Sequence, residues 1–171
     1  QRGSLLGPAF TDDEIEAVLK EHDAVYRRLD SDEELCRVVA GALSGEKVVG
    51  WFQGRMEFGP RALGARSILG DARRQDTQTV MNLKIKYRES FRPFAPTVLE
   101  EKASEYFEID RASPYMLLVA NVRKERCLPQ PSADGIPMLE RLKAKRSDIP
   151  AVTHLDFSAR LQTVNREHKP D

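Results

Sequence analysis

Two stretches near the amino terminus carry the pattern of short amphipathic helices. Thr11 and Glu14, and likewise Ser31 and Glu34, have the spacing of a capping box, in which two side chains satisfy backbone N–H groups reciprocally. Apolar residues then recur every three to four positions, at Ile15, Val18 and Leu19 and again at Leu35, Val38, Val39, Ala42 and Leu43. The pattern predicts one helix that ends near residue 21 and a second that ends at Gly45.

Beyond residue 46, short apolar runs alternate with further stretches of helical spacing. The apolar runs predict strands at 47–53, 67–70, 115–122, 151–155 and 160–164. The helical spacing predicts helices at 77–86, 100–107 and 136–145. Helices and strands alternate without a strict strand–helix–strand rhythm. The sequence therefore predicts an α/β fold in which helices flank a mixed, twisted sheet.

Length and composition favour a globular protein. The chain has 171 residues and a mass of 19.4 kDa, which suits a single domain over residues 1–171. No apolar run approaches the ~18 residues of a membrane helix, and the amino terminus lacks the features of a signal peptide. We therefore expect a cytoplasmic protein that makes no membrane contact. The polar end at 167–171 carries no helix stop, so we expect a piece of a longer protein.

A net charge of zero hides an uneven distribution. Residues 1–46 hold 5 basic and 11 acidic side chains, a net charge of −6, whereas residues 47–96 hold 10 basic and 4 acidic ones, a net charge of +6. Seven of those 10 basic residues are Arg, whose planar fork suits phosphate and carboxylate groups. The middle of the chain is therefore where an anion site is expected, although a solvated basic face explains the charge equally well.

The stretch 54–67, GRMEFGPRALGARS, combines three Gly with three Arg. Glycine lets a backbone turn tightly and approach a ligand, and a loop between a strand and a helix start presents N–H groups to anions. The candidate residues are Arg55, Gly59, Arg61 and Arg66. The stretch lacks the Gly-Lys-Ser/Thr ending of a P-loop. A rigid turn in which Arg pairs with Glu57 remains the alternative to an anion site.

A second basic cluster comprises Lys84, Lys86, Arg88 and Arg92. Their alternation predicts that the first three lie on one side of an extended strand. One helix joins this cluster to the 54–67 stretch, which favours a shared pocket, and a basic surface strand is the alternative. No metal site is expected, because the three His are isolated and no Cys-x-x-Cys occurs. His154 and Asp156 are predicted on one face of a strand.

The motifs together resemble one family. The matching runs are GWFQGRMEFGPRALGARSIL at 50–69, NLKIKYRESFRPFAP at 82–96, SPYM at 113–116, PAVTH at 150–154 and ARLQTV at 159–164. The family resembled is the O-carbamoyltransferases, and specifically their carboxy-terminal domain. That family includes enzymes of nodulation-factor and antibiotic tailoring. The resemblance covers nearly the whole chain. Ala65 stands where the family usually has Asn, and Asp156-Phe157-Ser158 replaces its usual Asp-Gly-Thr/Ser.

The resemblance implies a two-domain enzyme. A metal-holding amino-terminal domain transfers the carbamoyl group to a hydroxyl acceptor, and a YrdC-like carboxy-terminal domain makes carbamoyl-adenylate from carbamoyl phosphate and ATP with Mg²⁺. The expected partners are those ligands, the amino-terminal domain and a second copy of the chain. By resemblance, the catalytic residues in the phosphate pocket are Arg61, Arg66 and Lys86. The residues expected to bind the substrate or nucleotide are Arg55, Gly59, Arg88, Arg92, Tyr115, Met116, His154 and Arg160.

Two other functions fit the same fold. A non-catalytic nucleotide- or RNA-binding module of YrdC-like fold is disfavoured by the zero net charge, because nucleic-acid-binding domains are usually basic overall. A relative of the threonylcarbamoyl-adenylate synthases is disfavoured by the 54–61 run. The chain ends before a distal Thr-Ser-Phe-Asn segment of the family, so we expect weak ligand binding by the isolated chain.

Overall fold

A computed structural model describes residues 3–130, 135, 137, 141, 142 and 144–166 of the chain. The chain divides into two compact units, one formed by residues up to Leu69 and the other by residues from Gly70 onward. Helices and short strands occur in both, which confirms the α/β class. In the described part of the chain, the named strands pair two by two in three separate ladders, so the single mixed sheet is replaced by three small ones.

The first unit begins with two helices that start and end as predicted. Helix α1 spans Asp12–Glu21, and Thr11 and Glu14 form the complete capping box. Helix α2 spans Asp32–Ser44 and ends at Gly45. Its cap is only half formed: Ser31 Oγ accepts from the Glu34 N–H at 3.2 Å, but the Glu34 carboxylate accepts from the Asp30 N–H and pairs with Arg27 instead of reaching back to Ser31.

A hairpin completes this unit. Strand β1, Val49–Phe52, pairs antiparallel with strand β2, Arg66–Leu69. The Gln53 N–H donates to the Ala65 carbonyl at 2.9 Å, which extends the ladder by one step. The Gly/Arg stretch at 54–65 is therefore the loop of a β-hairpin and has no helix at its end.

The second unit opens with helix α3, Gln75–Val80, which runs into a π-helical turn at Met81–Ile85. Strand β3, Thr97–Leu99, is followed by a 3₁₀ turn at Glu100–Lys102 and helix α4, Ala103–Tyr106. Strand β4 is Val119–Asn121, a 3₁₀ turn lies at Lys124–Arg126, and strands β5 and β6 are Ser158–Arg160 and Gln162–Val164. β3 pairs parallel with β6, and β4 pairs antiparallel with β5.

Buried apolar side chains join these elements in one core cluster: Phe107, Val122, Ile149, Val152, Ala159 and Leu161. The predicted strand at 160–164 is split within this core. The N–H of buried Leu161 donates to the Leu118 carbonyl, and the chain then leaves β4 to pair with β3. The predicted strand at 115–122 is shortened to β4, because Met116 has a φ of +55° and interrupts extended structure.

The predicted strand at 151–155 is wrong. Ile149 accepts hydrogen bonds from the Val152 N–H at 3.3 Å and from the Thr153 hydroxyl at 2.9 Å, which closes a buried turn. The run is apolar because it packs in the core, and burial rather than strand pairing explains its composition. The helix predicted at 136–145 falls largely outside the described residues. Within the described part of the chain, every helix is too short or too polar to span a bilayer.

Candidate functional site

The loop at 54–65 is organised by one carboxylate. The Glu57 side chain is buried, and its Oε1 accepts hydrogen bonds from the backbone N–H groups of Leu63 at 2.7 Å and Ala65 at 2.6 Å. An ionised acceptor makes stronger hydrogen bonds than a neutral one. Glu57 therefore ties the first half of the loop to the second and fixes the backbone between them.

Arg66 belongs to the same arrangement. Its Nε lies 3.4 Å from Glu57 Oε2, and its Nη2 donates to the Gly59 carbonyl. The alternative of a rigid turn with an Arg–Glu57 pair is thus realised for this residue. Arg55 is also engaged, since its Nε donates to the Gly7 carbonyl at 3.1 Å and attaches the preceding segment to the loop. Both side chains hold the loop together.

Arg61 differs from the other loop arginines. It is half-buried, and its guanidinium makes no hydrogen bond or ion pair with any residue in the described part of the chain. Gly59, two residues earlier, has a φ of +123°, and open space lies where a Cβ would stand. A fixed backbone with an unengaged Arg beside accessible main chain can present a cation and N–H groups to an anion.

The second basic cluster is not a strand. Lys84 lies in the π-helical turn, and the Lys86 N–H donates to the Met81 carbonyl at 2.9 Å, five residues back. Tyr87, between Lys86 and Arg88, has a φ of +50°, and no strand runs through these positions. The prediction that the basic side chains lie on one side of an extended strand is therefore wrong. π-helical turns are rare and are frequent at functional sites.

Asn82 organises this second cluster, and the sequence analysis missed it. Its side chain is fully buried, and its Nδ2 donates to the carbonyls of Ser90 at 3.0 Å and Arg92 at 2.8 Å. Its Oδ1 accepts from Arg88 Nε at 2.6 Å. In the sequence, Asn82 begins the second run that resembles the family and lies within an apolar helical pattern, but no role was predicted for it. One amide thereby closes residues 82–92 into a compact loop.

The cations of that loop have different environments. The Arg88 guanidinium lies 4.9 Å from the centre of the Phe94 ring, in a cation–π contact. Arg92 Nε lies 2.8 Å from Glu89 Oε2. The Lys86 side chain is exposed and makes no ion pair with a described residue. Lys84 is likewise exposed and without an ion pair among the described residues, so the two lysines are the cations of this cluster that remain available to a ligand.

His154 and Asp156 lie in a turn and not on the strand predicted for them. The Ser158 hydroxyl donates to Asp156 Oδ1 at 2.7 Å, and His154 Nδ1 lies 2.9 Å from the same hydroxyl oxygen. Because the single hydroxyl hydrogen points to Asp156, Nδ1 must carry the hydrogen shared with Ser158. The Nε2 atom of a neutral His154 is then a hydrogen-bond acceptor.

Charge and burial act together on this turn. Burial lowers the pKa of His154 below its ordinary value of 6.5, Asp156 opposes that shift, and the nearby Arg160 adds to it. Hydrogen bonds from Ser158 lower the pKa of Asp156. Two of the predicted site residues, His154 and Arg160, are therefore close enough to interact electrostatically.

Tyr115 and Met116 lie in a turn of the second unit, and both are half-buried. The Met116 N–H donates to the Ser113 carbonyl at 3.4 Å, and the Ser113 hydroxyl donates to the Leu161 carbonyl at 2.9 Å. Ser113 thus attaches the turn to the core.

The residues predicted to line one pocket are divided between the units: Arg55, Gly59, Arg61 and Arg66 in the first, and the rest in the second. The shared pocket stays a prediction.

The described residues include no group of three or more His, Cys, Asp or Glu side chains that could hold a metal ion. The chemistry within reach of these residues is the neutralisation and positioning of anionic groups.

The chain belongs to the carbamoyltransferases. Within them it corresponds to the carboxy-terminal domain, because residues 40–171 match the family model described as Carbamoyltransferase C-terminus. This confirms the resemblance drawn from the motifs. Helix α1 and most of α2 precede the matched region.

Similar proteins extend the comparison. The chain is 60% identical over 171 residues to the uncharacterized protein sll1178 of Synechocystis, covering 98% of this chain and 28% of that protein. It is 42% identical over 141 residues to nodulation protein NolO of Bradyrhizobium diazoefficiens, covering 81% and 22%. It is 38% identical over 144 residues to 3'-hydroxymethylcephem-O-carbamoyltransferase of Amycolatopsis lactamdurans, covering 84% and 22%. The chain therefore spans less than a third of each relative.

Proposed function

We propose that this chain is the adenylate-forming part of an O-carbamoyltransferase. It binds ATP and carbamoyl phosphate and forms carbamoyl-adenylate, which another part of the same protein transfers to a hydroxyl acceptor. The similarity to the 3'-hydroxymethylcephem-O-carbamoyltransferase of Amycolatopsis supports O-carbamoyl transfer as the overall reaction. Arg61, held in a rigid loop without a partner among the described residues, is the observation that carries the proposal.

The proposed reaction asks for charge neutralisation more than for covalent catalysis. Carbamoyl phosphate and water give carbamate and phosphate. A carbamate oxygen then bonds to the α-phosphorus of ATP, and the bond from that phosphorus to the bridging oxygen of the β-phosphate breaks, releasing pyrophosphate. Negative charge accumulates on the leaving group, so prearranged cations lower the barrier.

The chain supplies such cations in fixed surroundings. Arg61 follows Gly59 in a loop whose backbone Glu57 holds by two hydrogen bonds. Lys86 directly follows a π-helical turn, and Asn82 holds the neighbouring loop by three hydrogen bonds. Rigid surroundings reduce the entropy that a side chain loses when it contacts a ligand. In the proposal, Arg61 and Lys86 bind phosphate oxygens directly, whereas Arg66 and Arg88 keep the loops in place.

The test is exchange of labelled pyrophosphate into ATP that depends on carbamoyl phosphate. It is measured on the protein expressed from the whole reading frame that contains this chain. Arg61→Ala should lower the exchange rate about 10²-fold or more, as removal of a charge-stabilising donor does. Arg37→Ala is the matched control, because Arg37 is an exposed Arg on α2 that pairs only with exposed Glu33 among described residues.

Two outcomes would overturn the proposal. One is exchange by Arg61→Ala at the wild-type rate. The other is the absence of exchange in the wild-type protein together with RNA binding that Arg61→Ala and Arg37→Ala weaken alike. In the second case the salt dependence of binding would fall by about one unit for each lost contact, as expected of a non-catalytic nucleic-acid module.

A further inference from the structure

Asp156, Ser158 and His154 form a chain of hydrogen bonds that ends at an imidazole nitrogen. The Ser158 hydroxyl donates to Asp156 Oδ1 at 2.7 Å, and His154 Nδ1 lies 2.9 Å from the same hydroxyl oxygen. The Ser158 N–H also donates to Asp156 Oδ1, at 3.1 Å. The carboxylate therefore orients the hydroxyl, and the hydroxyl orients the ring. The Nε2 atom of neutral His154 is left as an acceptor without a partner among the described residues.

The backbone of the same turn is held by hydrogen bonds of its own. The His154 N–H donates to the Ser158 carbonyl at 2.8 Å, and the Phe157 N–H donates to the His154 carbonyl at 3.1 Å. Phe157 has a φ of +63°, a conformation that favours glycine. A non-glycine residue keeps such a backbone only where its surroundings fix it, and residues of this kind cluster at active sites. The position of the His154 ring is therefore set before any ligand binds.

Arg160 places a positive charge near this imidazole. It ends strand β5, it is exposed, and its guanidinium makes no hydrogen bond or ion pair with a described residue. Burial lowers the pKa of His154, Asp156 opposes that shift and Arg160 adds to it. At neutral pH the imidazole is therefore uncharged and able to accept a proton. The neighbouring cation can stabilise negative charge that develops on a reacting oxygen.

We propose that His154 is the general base for the hydrolysis of carbamoyl phosphate that precedes adenylate formation, and that Ser158 and Asp156 are its positioning residues. The inference rests on the proposed function, which requires carbamate. Nε2 takes a proton from a water molecule as the water oxygen bonds to the carbonyl carbon of carbamoyl phosphate. The bond from that carbon to the bridging oxygen breaks, and the proton passes from Nε2 to the departing phosphate. The other product, carbamic acid, releases its acidic proton to the solvent and becomes carbamate.

The experiment compares two routes to the adenylate in the protein expressed from the whole reading frame that contains this chain. One assay follows phosphate release from ³²P-labelled carbamoyl phosphate, corrected for the spontaneous rate. The other follows exchange of labelled pyrophosphate into ATP with carbamate supplied by ammonium bicarbonate, which bypasses the hydrolysis. His154→Gln should lower kcat for phosphate release about 10²-fold or more, because an amide cannot take up the proton. It should leave the carbamate-dependent exchange at the wild-type rate. His22→Gln, at an exposed His of the first unit, should change neither activity.

Ser158→Ala tests the positioning role. Without the hydroxyl, His154 returns toward the Nε2–H form, in which Nε2 donates instead of accepting. The kcat for phosphate release should therefore fall about tenfold or more while KM stays unchanged. In the wild-type protein, phosphate release should slow below pH 6.5 as His154 becomes protonated. This decline should be absent from the residual activity of His154→Gln.

The outcomes separate this role from the proposed function. Phosphate release by His154→Gln at the wild-type rate, or an equal loss of both activities in that variant, overturns the role of His154. Released phosphate that carries ¹⁸O from labelled water overturns the attack at carbon. A wild-type protein that does not hydrolyse carbamoyl phosphate also overturns the role. If the wild-type protein hydrolyses carbamoyl phosphate but shows no carbamate-dependent exchange, the proposed adenylate formation is wrong, and phosphate release by His154→Gln still decides the role of His154.

Discussion

The carboxylate of Glu57 accepts a 2.6 Å hydrogen bond from the backbone N–H of Ala65, eight residues further along the chain. Glu57 is thus the residue on which the shape of the Gly/Arg loop depends. A buried carboxylate in this position serves as an internal template, because the same oxygen also accepts from the Leu63 N–H. Removing it should therefore affect the loop first and the rest of the molecule second.

We predict that Glu57→Ala lowers the free energy of unfolding by about 2–4 kcal/mol, since two buried N–H groups and Arg66 lose their partner. Hydrogen exchange at the Leu63 and Ala65 amides should accelerate more than exchange in α2. Glu57→Gln should have a smaller effect, because its amide oxygen still accepts. Glu33→Ala, at an exposed residue of α2, should stay within about 0.5 kcal/mol. Unchanged exchange at both amides in Glu57→Ala would contradict the assignment.

The hydrogen bonds of Asn82 lead to a corresponding prediction for the second basic cluster. Asn82→Ala removes three hydrogen bonds of a buried side chain and should lower the free energy of unfolding by about 2 kcal/mol or more, measured by urea denaturation. Asn82→Asp should also destabilise the protein, because a carboxylate would face the carbonyls of Ser90 and Arg92. Asn121→Ala serves as the control, since Asn121 is exposed and its amide bonds to Glu108. Similar effects at positions 82 and 121 would show that Asn82 does not organise the loop.

The turn at His154 has a spectroscopic consequence. The hydrogen bonds through Ser158 require neutral His154 to carry its hydrogen on Nδ1, which is the minority form of free histidine in water. Imidazole ¹⁵N shifts above pH 8 should therefore identify an Nδ1–H tautomer. Ser158→Ala should return His154 toward the common Nε2–H form, and exposed His22 should show that form throughout. An Nε2–H signal from His154 in the wild-type chain would refute the deduced direction of these hydrogen bonds.

The lowered pKa of His154 also leads to a prediction of how the stability of the protein depends on pH. Because its folded pKa lies below the unfolded value of 6.5, the unfolded chain takes up a proton first as the solution is acidified. The stability contributed by neutral His154 is present above pH 6.5 and is lost as the pH falls toward the folded pKa. The lowered pKa of Asp156 acts in a more acidic window, below its ordinary 3.8.

Urea denaturation at about pH 7.5 and pH 5.5, which bracket the ordinary His pKa, checks this prediction. His154→Gln should reduce the loss of stability between the two pH values, and His22→Gln should not. An equal loss in the wild-type chain and His154→Gln would show that another group controls stability in this range.

The elements that the sequence predicted well depend on local chemistry. The capping box of Thr11 and Glu14 forms within four residues, and Gly45 ends α2. Both features can therefore be predicted without knowledge of the fold. The run at 151–155 was misread because core packing makes a turn as apolar as a strand. The alternation of Lys84, Lys86 and Arg88 was misread because a π-helical turn replaced the extended backbone on which that pattern depends.

The same distinction applies to the candidate site. The motif identified the loop and its arginines. The sequence alone did not show which of these arginines form hydrogen bonds or ion pairs with other residues of the chain. Arg66 and Arg88 are bound through Glu57 and Asn82, whose partners lie six to ten residues away. Such contacts depend on how the loop closes, which the spacing of residues does not determine.

The pairing of β3 with β6 joins Thr97 to Gln162, across 65 residues. Contacts between positions so far apart form late, because the chain must first lose the entropy of closing a long loop. During synthesis, the helices of the first unit can form while most of the second is still unmade. The core around Leu161 cannot close until residues 158–164 have left the ribosome. Until then Val98 and Ala120 lack the strands with which they pair, so the nascent second unit has unpaired strand edges, which favour aggregation.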